Sequence, residues 1–262
     1  MKKKSKLLKV LIIIFALGLI GSLSKFISIR DKGIKEEEAF ENLRQTVATT
    51  KVEASSKPRE DEVEVEVEAK KDTKALFTKY KVLKETNPDF CGWLTIDGTA
   101  IDYPVMNTQD QPRFYMRRGF DKEYSLSGTP FVGLNGDVDS DIFIIYAHNM
   151  SNGTMFSQLD SYKDQEFFED HRRFTFTTIN EERTYEVFAS LKVKVPVEND
   201  LAYYEYSGDL ADDDFEDLVN YLKTNSLIAA EGPSDREQIL ILSTCSYHTK
   251  DGRFIIAAKR IE

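Results

Sequence analysis

Ile239-Leu-Ile-Leu-Ser-Thr-Cys245, followed closely by Arg253-Phe-Ile-Ile-Ala-Ala258, decides how this chain reads. The first run is an apolar strand that stops on a Ser-Thr-Cys step. The second is another apolar strand, starting just after an arginine. Together they set a thiol at a strand end and a guanidinium on the neighbouring strand. Far upstream, Asp141-Ile-Phe-Ile-Ile-Tyr-Ala-His148 repeats the pattern with a histidine at its end. A thiol, an imidazole and a fixed cation are the parts of a cysteine acyl-transfer site.

Outward from these strands, turn signals mark off more of them. Cys91–Ile96 and Ile101–Met106 are joined by Asp97-Gly98, and Thr129–Leu134 runs into Asn135-Gly136. Arg173–Ile179 and Thr184–Val195 flank Asn180. That makes about eight short strands, a spacing that predicts an all-β sandwich or a closed barrel, since closure removes exposed edges. Helical spacing of Leu76, Tyr80 and Leu83 predicts a helix ahead of the first strand, ended by Asn87-Pro88. Two helical inserts follow. Residues 154–168 gather Met155, Phe156 and Leu159, and residues 209–225 gather Phe215, Leu218, Val219 and Leu222 behind an acidic first turn.

Cys245 sits among Ser243, Thr244 and Ser246, a polar step where a substrate has access; the same position also suits a small core residue. Cys91, in Phe90-Cys-Gly-Trp-Leu, reads as a buried, inert thiol rather than a disulfide partner. Of the three histidines, His148 is preferred as the base because it too ends a buried strand. His171 lies in a charged, surface-like stretch, and His248 is near Cys245 in sequence but held by no strand. Asn149 is expected to face away if the strand continues. Arg253 is either a solvated arginine or a permanent charge beside a developing oxyanion. The turn Asn135-Gly-Asp-Val-Asp-Ser-Asp141 does not fit a calcium loop, because the required glycine and terminal glutamate are missing. The two distant cysteines form no zinc pattern, and neither a P-loop nor a dinucleotide fingerprint is present.

Charge is divided along the 262 residues. Residues 1–30 hold seven Lys or Arg and no acid, which leaves 28 basic against 45 acidic residues in the remainder. Such a body repels phosphates, so nucleic acid is not an expected partner. Lys2 to Lys9 is basic and Val10 to Leu23 is apolar but for Ser22, which reads as an N-terminal membrane anchor. A cleaved signal peptide is the rival reading; the lack of an A-x-A site speaks against it. In either case the lysines stay cytoplasmic and the acidic body lies outside. Residues 31–73 read as a charged tether, with part of 32–47 compatible with a helix and Glu62-Val-Glu-Val-Glu-Val-Glu as an extended spacer. The folded body is expected over 74–262.

Leu242-Ser-Thr-Cys-Ser-Tyr247 with Asp251-Gly-Arg-Phe-Ile-Ile-Ala-Ala-Lys259 resembles the signature of the sortases. Tyr146-Ala-His-Asn-Met with Gly153-Thr-Met-Phe resembles the family's histidine segment, and Asn87 to Val105 its opening strands. The insert at 209–225, ahead of the cysteine strand, makes the chain most similar to class B. The resemblance implies a mainly β fold, an eight-stranded β-barrel with an N-terminal helix and that insert. It implies metal-free cysteine transpeptidation by His148, Cys245 and Arg253, without a cofactor. The substrates it implies are an exported protein with a C-terminal sorting motif and an amine of peptidoglycan or its lipid-linked precursor. The enzyme would be a single-pass protein of a Gram-positive-type cell membrane, with its catalytic domain extracellular. By the same resemblance Tyr203 and Tyr204 would wall the substrate groove, Ser243 and Ser246 would contact the peptide, and Met116 would line the groove. Two other readings use the same residues: an exported cysteine peptidase that hydrolyses its acyl-enzyme, and a binding module whose Cys245 is unreactive.

Overall fold

The barrel is built from strands that are apolar on both faces. In the computed structural model, which describes residues 2–49, 77–195 and 201–262, eight strands close into one ring. They are β1 (Phe90–Thr95), β2 (Asp102–Met106), β3 (Phe131–Val132), β4 (Ile142–Tyr146), β5 (Arg173–Thr177), β6 (Glu182–Lys194), β7 (Ile239–Cys245) and β8 (Gly252–Arg260). Around the ring they run β1-β2-β3-β4-β7-β8-β6-β5. Most neighbours are antiparallel; β2 with β3 and β4 with β7 are parallel. The helical insert between β6 and β7 belongs to the long connection that brings β7 back beside β4.

Alternation along each strand separates two cores. Phe143 of β4 meets Phe176 of β5 at 5.6 Å and Tyr185 of β6 at 6.4 Å, although neither strand neighbours β4, so these rings meet across the barrel interior. Gly92 on β1 leaves the space that the Phe176 ring occupies; a Cβ there would lie 2.3 Å from it. The opposite parity, Ile142 and Ile144, Ile239 and Ile241, Ile255 and Ala257, forms an outer core. Helix α4 (Asp212–Thr224) covers that core with Phe215, Leu218, Val219 and Leu222. Asp212, Asp213 and Asp214 occupy its first turn and Lys223 its last, each at the end its charge favours.

The other elements also follow local chemistry. Gly98 turns the β1–β2 hairpin at φ +76°. Helix α3 (Gln165–Asp170) is capped by Asp164, whose carboxylate accepts from the amides of Glu166 and Phe167. The described part of α2 covers residues 77–86, and Tyr80 and Leu83 pack there against Phe90 and Trp93. Helix α1 (Lys2–Thr49) does not end at residue 30, where the tether was expected to begin; its second half is rich in the helix formers Glu, Lys and Ala. Residues Ile12 to Phe26 expose Ile13, Ile14, Phe15, Leu19 and Leu23, and the helix is long and apolar enough to cross a membrane. The Glu-Val run lies outside the described residues.

Candidate active site

Strand register brings the three predicted residues to one level. Cys245, the last residue of β7, pairs directly with Arg253 of β8. On the other side, Tyr146 pairs in parallel with Ser243. His148 lies two residues beyond Tyr146, the same step that separates Cys245 from Ser243. The imidazole, thiol and guanidinium therefore come from three adjacent chain segments at the same barrel end. Cys245 and Arg253 share the parity of Ile241 and Ile255, which is that of the outer core under α4. All three are half-buried.

Beyond the end of β4 the histidine segment is held by side chains and a tight loop. The Ala147 amide donates to the Ser243 carbonyl at 3.3 Å, and Thr244 Oγ1 donates to the Ala147 carbonyl at 2.9 Å. The strand does not continue, and Asn149 therefore does not turn away from the site. Its Nδ2 donates to the Cys245 carbonyl at 2.9 Å, tying the histidine segment to the residue that carries the thiol. Gly153 at φ +86° and Met155 at φ 57° reverse the chain, and the Phe156 amide then donates to the His148 carbonyl at 3.0 Å. A buried methionine in the left-handed region is a strained choice, held by surrounding bonds such as Met155 N to Tyr103 Oη at 3.2 Å.

His148 has a defined tautomer. Its Nε2 is 2.8 Å from the Met116 carbonyl, which can only accept, so Nε2 carries the proton. In the neutral ring Nδ1 is left as the base. Burial lowers the pKa of His148 from its usual value, the Met116 carbonyl opposes that shift, and the Arg117 charge adds to it. Neutral imidazole is thus the resting form near pH 7. Arg253 donates through Nη1 to the Gly252 carbonyl at 2.9 Å. A guanidinium has five N–H donors, so this single bond leaves others to face a ligand.

The remaining predicted residues surround this line. Tyr203 is buried and its hydroxyl lies 2.9 Å from Ser243 Oγ, itself buried. Burial pushes the Tyr203 phenol up to about 12. Tyr204 is half-buried and packs edge-on against Tyr203, with ring centroids 5.6 Å apart. Ser246 is buried and bonds through Oγ to His248 Nδ1 at 2.9 Å, which occupies that ring nitrogen. Met116 contributes its carbonyl to His148, and its side chain packs with Phe114 on the cluster around Phe90 and Tyr115. His171 stacks on Phe167 at 4.1 Å and bonds the Phe167 carbonyl, a helix-capping contact. Both cysteines are free. Cys91 donates to the Val105 carbonyl at 3.2 Å, and burial pushes its thiol pKa upward.

Comparison with known proteins gives the family and the fold. Residues 94–261 match the family model described as the sortase domain. Sortase B of Listeria monocytogenes is 29% identical over 210 residues, covering 72% of this chain and 82% of that protein. Sortase B of Staphylococcus aureus is 25% identical over 189 residues, covering 70% and 75%. Among solved structures, a Staphylococcus aureus sortase B–substrate complex aligns with a TM-score of 0.71 at 22% identity, over 88% of this chain and 98% of that one. Clostridium perfringens sortase B aligns with a TM-score of 0.60 at 29% identity, over 70% and 99%. The chain belongs to the sortase family of cysteine transpeptidases, in class B.

Proposed function

We propose that this enzyme cleaves a C-terminal sorting motif of exported proteins and joins the new carboxyl end to an amine of the cell-wall peptide. The observation that carries the reading is the shared level of His148, Cys245 and Arg253 on adjacent segments. In the first half-reaction the Cys245 sulfur attacks a backbone carbonyl of the motif while its proton passes to His148 Nδ1. Arg253 faces the oxyanion that forms, where a fixed charge is worth more than in water. Collapse breaks the C–N bond, and His148 returns the proton to the leaving amine. In the second half-reaction an amine attacks the thioester, His148 takes the amine's proton, and the sulfur leaves and is reprotonated. Protons and bonds balance without a metal or redox partner.

Supporting roles follow from the same contacts. The Tyr203–Ser243 hydroxyl pair and Tyr204 form the wall beside Cys245, Ser246 shapes the turn after it, and Met116 orients His148 through its carbonyl. Helix α1 serves as an uncleaved anchor, with the lysines of residues 2–9 inside and the catalytic domain outside. Anchoring raises the enzyme's effective concentration near membrane-borne clients. Protease protection of intact cells tests this orientation: digestion of the catalytic domain is expected, and its full protection would overturn it.

The decisive test uses the full chain in detergent with sorting-motif peptides and an amine acceptor. Intact mass should show a thioacyl adduct that is absent from Cys245→Ala. Release as an amine-joined product identifies the transpeptidase; release only as free acid identifies a peptidase. A Cys245 that neither acylates nor alkylates in the native protein would leave a binding module.

A further inference from the structure

The nine arginines of residues 77–262 fall into two groups. Arg172, Arg173, Arg183, Arg236 and Arg260 each pair with a carboxylate. Among the described residues, Arg113, Arg117, Arg118 and Arg253 form no ion pair, in a chain of net charge −10.

The unpaired set lies about the line of His148, Cys245 and Arg253. Arg253 faces Cys245 across the β7–β8 pair. The other three lie on or beside the 3-10 turn Phe114–Arg117, whose Met116 carbonyl holds His148. Arg113 and Arg253 both lie close enough to Tyr146 for their charges to favour its ionised phenolate, against the larger effect of burial. Arg117 and Arg118 are partly occupied, the first by the Leu126 carbonyl and the second by the Lys122 carbonyl and the Phe114 ring. Arg113 is exposed and, among the described residues, its guanidinium has no polar partner.

Position and chemistry indicate what these cations meet. The turn adjoins the base through the Met116 carbonyl, and the base is where the incoming amine must lie in the second half-reaction. The turn offers no cradle of free amides for a phosphate, because the amides of Phe114, Met116 and Arg118 already donate to carbonyls of the turn. What remains are guanidinium forks, whose geometry matches a carboxylate. We propose that Arg113, assisted by Arg117 and Arg118, forms a subsite for a carboxylate carried by the amine acceptor. This rests on the transpeptidase reading above and adds selection at its second step: the acceptor is an amino acid or short peptide that carries an anionic group as well as its nucleophilic amine.

The test separates the two half-reactions. Full-length enzyme in detergent is acylated, then offered triglycine or triglycine amide, which differ in the carboxylate. The parent should favour triglycine in the ratio of aminolysis to hydrolysis by about 2- to 5-fold at low salt, the scale of one exposed charge contact. Added salt should shrink that preference. Arg113→Gln should abolish it, Arg113→Glu should reverse it, and Arg113→Lys should keep part of it, all with parent-like acylation rates. Equal use of both acceptors by the parent, or an equal loss with both in Arg113→Glu, would overturn the subsite. Titration of the two peptides into full-length Cys245→Ala, followed by NMR, gives a second readout. Tighter binding of triglycine is expected there, and parity overturns the subsite even if no thioacyl ever forms. Failure of acylation alone sinks the transpeptidase reading instead.

Discussion

Single side chains set the chemistry of the groove. Because burial and Arg117 lower the pKa of His148, its ring should titrate below the ordinary 6.5. The sign for stability follows. Below 6.5 the unfolded histidine binds more protons than the native one, so this contribution is complete above 6.5 and is lost as pH falls through the native pKa. An NMR titration of the imidazole checks the first point, and Arg117→Gln should move the midpoint upward. The two thiols should also separate. Iodoacetamide at neutral pH is expected to modify Cys245 and leave Cys91, whose sulfur is held on the Val105 carbonyl, unlabelled in the native protein. Mass mapping of the alkylated chain decides this. Arg253→Lys keeps the charge but loses the planar fork; the acylation rate is expected to fall about 10²-fold, the usual cost of losing one oxyanion donor.

Elements determine how firmly those side chains are held. The line His148–Cys245–Arg253 exists because β4 and β7 pair in parallel and β7 and β8 antiparallel, with Ser243 opposite Tyr146 on one side and Ile255 on the other. A slip of one residue in β7 would turn the thiol to the barrel interior. Gly92 guards the opposite region of the barrel. Gly92→Ala drives a methyl into the Phe176 ring and should cost about 1–3 kcal/mol in urea unfolding. Tyr203→Phe removes one half of the buried hydroxyl pair and leaves Ser243 Oγ without its partner. A loss of about 1–2 kcal/mol is expected by the same measurement.

At the scale of the molecule, one buried cation ties the acidic turns to the barrel. Arg183 on β6 is almost wholly buried and reaches Asp139, Glu181, the Val138 carbonyl and Gln238. It joins the 137–141 turn before β4 to the start of β7, the two strands whose pairing sets the site. Arg183→Met should destabilise the domain by about 1–3 kcal/mol. The cost stays moderate because the carboxylate partners are near the surface and can rehydrate. A lowered urea midpoint with an unchanged slope is the expected result.

The strands, their turns and the strand-end positions of His148, Cys245 and Arg253 could be read from residue patterns, because each depends on local rules. Apolar runs ended by Asp-Gly, Asn-Gly or a polar step mark strands, and the thiol and imidazole stood at their ends. The helix over 212–224 was equally legible from its apolar spacing and acidic first turn. What the chain folds into around these features was not local. The shared level of His148 and Cys245 comes from a parallel pairing of residues 97 apart in the chain, which no window of sequence contains. The direction of Asn149 stayed conditional in the sequence because it depends on where β4 stops, and tertiary bonds from Thr244 and the 148–156 loop decide that. The left-handed Met155 had no sequence signal, since methionine is not a residue that favours that conformation. The arginine division was likewise invisible. Whether a guanidinium is paired depends on which carboxylates the fold brings near it, and among the described residues the closed barrel leaves Arg113 and Arg253 without an ion pair near Tyr146.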